Sequence, residues 1–137
     1  MPSGIWVADE DWKNDESIGN HEILWRVITS ERIKPHPARP GEFIASDQAY
    51  RTAEVSVFVA SQTSKEKVLA RWQGASLVEF TAGFVRGLGL IIVHDPKDTD
   101  PDPAHRLVGR PDHIRMTIRK AHDIALEARW VELNYST

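Results

Sequence analysis

With 137 residues, a net charge of −3 and no cysteine, the chain has the length of one domain and excludes a disulfide framework, a thiolate metal site and a Cys nucleophile. No apolar run approaches the ~20 residues needed to span a bilayer. The N-terminus lacks the basic and apolar regions of a signal peptide, so a cytoplasmic protein with no membrane partner is expected.

Charge is unevenly distributed. Residues 1–22 hold six acids (Asp9, Glu10, Asp11, Asp15, Glu16, Glu22) against Lys13, and residues 106–120 hold five bases (Arg106, Arg110, Arg115, Arg119, Lys120) against Asp112. Either these two ends face each other or water, or the basic stretch meets an anionic partner. A nucleic-acid partner has only this discontinuous basic stretch behind it.

Residues 1–20 read as an acidic arm outside the main domain, 21–137. Trp6 and Trp12 are its largest apolar groups. Exposed indoles are costly to leave in water, so the arm either packs back or docks on another chain. Glu22–Ile28 reads as the first strand, apolar on both faces except for Arg26. That arginine either sits at the sheet's edge with its head in solvent, or binds an anion in a cleft.

Residues 29–53 form a long connection. Pro35-His36-Pro37 and Arg39-Pro40-Gly41 argue against regular structure there, and Ser46 or Asp47 starts a short helical turn. Glu54–Ala60 alternates as a half-buried strand, with Val55, Val57 and Val59 on one face and Ser56 and Phe58 on the other. A helix over Lys65–Trp72 follows, capped by Thr63 or Ser64 and closed by Gly74. Leu77–Phe80 and Leu90–Val93 are strand-like, bridged by a turn of helix, and Arg106–Val108 adds a third run. The last helix is expected from Asp112 as its N-cap, with Ile114, Ile118, Ala121, Ala125 and Ala128 as its apolar stripe. Trp130–Leu133 closes the chain as a strand. The expected fold is α+β, a small mixed sheet packed by this helix and one or two shorter ones. Val55, Val57, Leu77, Val78, Phe80, Ile91, Ile92, Val93, Ile118 and Ala125 are expected in one core.

Known catalytic motifs fail on specific residues. Gly87-Leu88-Gly89 has Ile92 where a dinucleotide fingerprint needs its third glycine, and a strand follows rather than a helix. Asp98, Asp100 and Asp102 open with calcium-loop spacing, but Pro103 and Gly109 stand where a glycine and a glutamate belong. What remains is the loop itself. His94, Asp95 and His105 bracket it and are candidates for acid–base work or ligand binding. Its prolines hold the acids apart, so no metal and no cofactor is expected.

The order Leu24-Trp25-Arg26, Ser56-Val57-x-x-Ala60, Thr81-Ala82-Gly83-x-x-Arg86-x-Leu88-Gly89, Asp95-Pro96 and Pro103-Ala104-His105 resembles a group of small bacterial single-domain proteins. The chain also resembles compact ADP-ribosyltransferase-type toxins. That resemblance implies an arginine on the first strand (Arg26), a serine-bearing strand (Ser56) and a late catalytic acid, for which Glu132 is the candidate. Two functions are compatible with these residues. One is a non-enzymatic interaction module, an accessory subunit of a bacterial multi-protein system that docks another protein through Trp6, Trp12, Arg115 and Arg119. The other is a small ADP-ribosyltransferase-like or nucleotide-processing enzyme for an anionic substrate, with Arg26, Ser56, His94, Asp95 and His105 at its site. The enzyme requires Arg26 and His105 to converge on one cleft.

Overall fold

The structure is a computed structural model that describes residues 11–94 and 100–135. It is an α+β domain. Strands β1 (Ile23–Ile28), β4 (Val55–Val59), β5 (Ser76–Thr81), β6 (Ile91–Val93), β7 (His105–Gly109) and β8 (Arg129–Glu132) form one sheet in the order β6-β7-β4-β1-β5-β8. Strands β2 (Ile33–Pro35) and β3 (Phe43–Ala45) pair as a separate hairpin. A sheet of mixed direction was expected, yet each pairing among the described strands is antiparallel.

The long connection is thus more regular than its prolines suggest. Pro35 is tolerated because it ends a hairpin strand, where a missing N–H costs little. A 3-10 turn over Asp47–Tyr50 follows, flanked by Ser46.

Helix α1 (Lys65–Leu69) is capped by Ser64, whose side chain accepts from the Lys67 N–H. Helix α2 (Ala82–Gly87) is capped in the same way by Thr81 and carries the chain from β5 across to the far edge of the sheet at β6. Helix α3 (Ile118–Glu127) begins five residues later than an N-cap at Asp112 implies. Asp112 instead accepts from the Ile114 N–H, and His113 turns left-handed at φ 60°. Such a local turn competes with helix formation, and Thr117, accepting from the Lys120 N–H, becomes the cap.

This shift corrects the apolar stripe. Ala121, Ile124 and Ala125 are buried, whereas Ile114 and Ile118 are 56% and 60% exposed. The expected single core also divides between the faces of the sheet. Leu24, Val55, Val57, Val78, Phe80, Ile92 and Ala125 pack with α3, α2 and the hairpin on one face. Leu77 joins Phe58, Val68 and Ala104 under α1 on the other, and Val93 packs with Trp12 and Leu107.

The boundary expected at residue 20 falls inside this packing. Trp12 is buried, donates from Nε1 to the Arg110 carbonyl at 2.6 Å and stacks on His113 at 3.9 Å. Ile18 belongs to the main core, and Asp15 pairs with buried Arg106 at 3.0 Å. The acidic N-terminal stretch and the basic stretch near residue 106 therefore do meet. Among the described residues no helix is long and apolar enough to cross a membrane.

Candidate functional site: a split between two strands

Strand β1 pairs with β5 over all six residues from Ile23 to Ile28, but with β4 only at Leu24–Val59 and Trp25–Phe58. Beyond that point the two strands part, and the Arg26 guanidinium fills the split. Its Nη1 donates to the Ser56 carbonyl and its Nη2 to the Ala49 carbonyl, both at 2.9 Å. The guanidinium thus donates where the β1–β4 ladder has ended, so the Ser56 carbonyl is not left orphaned.

These partners are neutral. Among the described residues no carboxylate pairs with Arg26, and its buried Nε–H has no hydrogen-bond partner. Burial pulls the arginine below its ordinary pKa, Tyr50 works the other way, and the neighbouring Arg32 charge adds to the lowering. A guanidinium nonetheless stays protonated at physiological pH. The floor of the split is therefore a half-buried positive charge without a carboxylate partner among the described residues, an arrangement that an anion would complete.

A hollow of about 350 Å³ opens over this floor, within the range of small-molecule sites. Phe58 and Trp72 supply aromatic walls, and Arg32, Gln48 and Asp100 stand at the rim. Because α1 stops at Leu69, Trp72 lies beyond the helix, and the following left-handed Gly74 turns the chain into β5. The Arg71 guanidinium lies 4.5 Å over the Trp72 ring and grips Asp100 with two hydrogen bonds of 2.8 and 3.2 Å. Burial alone would raise the Asp100 carboxyl. Hydrogen bonds from Arg71 and the Asp102 N–H, with the charges of His105 and Arg71, bring it below its usual value.

Ser56 links the two residues required to converge. Its carbonyl accepts from Arg26, and its Oγ lies 3.1 Å from Nε2 of buried His105. The register explains this, since His105 sits opposite Phe58 on the adjacent strand, two pairs along from Ser56–Leu107 and so on the same face of the sheet. The Asp102 carboxylate holds this turn by accepting from the Thr63 hydroxyl and the Ala104 N–H.

Other candidates lie elsewhere. His94 is exposed and borders a separate hollow with Lys13 and Asn14. Asp95 and Trp6 are outside the described residues. Glu132 is on β8, beyond β5 from the split, and pairs with Lys65 at 3.6 Å; it does not line the hollow. Arg115 and Arg119 are exposed beside Ile114 and Ile118. Trp72 and Asp100, which the sequence reading left as helix core and loop acid, are part of the site. Among the described residues no cluster of His, Asp and Glu is arranged to hold a metal ion. No protein-family model, no curated protein and no solved structure matches this chain.

Proposed function

We propose that the split between β1 and β4 binds a small phosphorylated ligand of the nucleotide class, and that the protein acts on or senses that ligand. The observation that carries this is the Arg26 guanidinium, half-buried, lining the hollow and without a carboxylate partner among the described residues. Phosphate oxygens supply the missing negative charge. A planar base fits against Trp72, whose ring flanks the same hollow.

Thermal melts with ADP, adenosine and inorganic phosphate test this. ADP is expected to raise the melting temperature more than either fragment. Arg26→Gln weakens the ADP response roughly 10- to 100-fold, the loss of one charge-assisted hydrogen-bond set. Trp72→Leu weakens ADP but not phosphate. A cooperatively melting Arg26→Gln variant that responds to ADP as the parent does would refute the reading.

A second reading rests on a different observation. Ile114 and Ile118 are exposed beside Arg115 and Arg119, a mixed apolar and basic surface suited to an acidic protein partner. As an interaction module the chain would use this surface, since Trp12 is engaged within its own domain.

A further inference from the structure

We infer that Ser56 is a nucleophile of this cleft, activated by His105, and that the bound phosphoryl group is its electrophile. The inference rests on the nucleotide-class reading of the same site and adds a reaction to it. Three observations converge. The Ser56 Oγ is 3.1 Å from Nε2 of His105, the hydrogen-bond distance between a nucleophile and its general base. Ser56 and Arg26 line one hollow, and Arg26 already donates to the backbone of Ser56, so an anion on the guanidinium is brought beside the hydroxyl. His105 itself is buried and held on β7, with its backbone N–H donating to the Asp102 carbonyl and its ring 5.5 Å from Phe58. A base fixed on a strand, with a nucleophile on the neighbouring strand, needs no loop closure to align.

The step balances without a redox partner. The Ser56 hydroxyl gives its proton to His105 Nε2 as an Oγ–P bond forms. The bond from phosphorus to the leaving oxygen breaks, and that oxygen takes the proton from the imidazolium. Water then attacks the phosphoserine, gives a proton to His105, and releases phosphate as Ser56 recovers its proton. Arg26 and Arg32, both lining the hollow, are placed to offset the charge on the phosphoryl oxygens.

A fluorophosphonate probe reads this directly, because its phosphorus forms the same bond with loss of fluoride. Intact-mass measurement of the full chain is expected to show one adduct, mapped by peptide sequencing to Ser56. Ser56→Ala loses the adduct, and His105→Asn slows labelling roughly 100-fold, the scale of a lost general base. Absence of an adduct in the parent chain, an adduct mapped to another residue, or parent-rate labelling of His105→Asn would overturn the inference. Mapping on the parent chain does not depend on whether the variants fold. ADP melts on the same samples separate the two readings. An unlabelled protein that still responds to ADP through Arg26 retains the binding site and loses the nucleophile.

Discussion

Asp15 ties the N-terminal segment to the sheet through Arg106, whose guanidinium is also held by the carbonyls of Pro103 and His105. Burial alone would raise the Asp15 carboxyl, but hydrogen bonds from Ser17 and Arg106 bring it below its ordinary value. A depressed carboxyl contributes stability that is fully present above the unfolded value of about 3.9 and is lost as pH falls through the lower, folded value. Asp15→Asn is therefore expected to melt below the parent at pH 7, with the gap closing as the pH falls below about 4. A gap that stays constant across that range contradicts the assignment. At this scale the sequence was partly legible. Arg26 stood out as one charge in an apolar strand, and Ser56 and His105 were both singled out. Their juxtaposition was not, because it depends on β7 pairing with β4 across 49 residues of chain. Trp72 was hidden by a helix that ends sooner than its apolar spacing implies.

Strand and helix types follow closely from local pattern, while their ends follow from side-chain competition. The alternation of Val55, Val57 and Val59 gives β4, and Ser64 and Thr81 cap their helices. The start of α3 escaped this reading because Asp112 satisfies a turn and Trp12 stacks on the left-handed His113, a contact no local pattern encodes. The register of α3 has a sharp consequence. Ile118→Asp puts a charge on an exposed side chain and is expected to change stability by no more than about 0.5 kcal/mol. Ile124→Asp buries that charge unpaired and is expected to abolish cooperative folding. Melting curves of the two variants decide the register, and the reverse order of effects would refute it. The split between β1 and β4 was equally invisible, since nothing in either strand alone says where their pairing stops.

For the molecule as a whole, the N-terminal stretch is part of the fold from at least Trp12 onward. Deleting residues 1–20 removes Trp12 and Ile18 from the packing and leaves Arg106 without its carboxylate. Loss of one partner of a buried pair alone costs about 3–5 kcal/mol, and a buried Trp a similar amount, together most of a small domain's stability. The truncated chain is expected to lose its cooperative thermal transition. A melt within a few degrees of the full chain would show that this segment is an appendage. The sequence marked the stretch by its tryptophans and acids, but its separation from the domain was inferred from polarity. Polarity does not register one indole and one carboxylate reaching across the chain to Arg110 and Arg106.

The central claim, that the β1–β4 split is an anion site built on Arg26, is tested most directly at that guanidinium, whose buried Nε–H reports on a charge arriving at the group. In a ¹H–¹⁵N spectrum of arginine Nε–H groups, the Arg26 resonance is identified by its loss in Arg26→Lys. Titration with ADP to about 10 mM fills roughly nine-tenths of even a weak site of about 4 kcal/mol, whose Kd is about 1 mM. The account predicts a saturable downfield shift of this resonance, larger than any at Arg115 or Arg119. An Arg26 signal that stays in place while ADP reaches that concentration would contradict it.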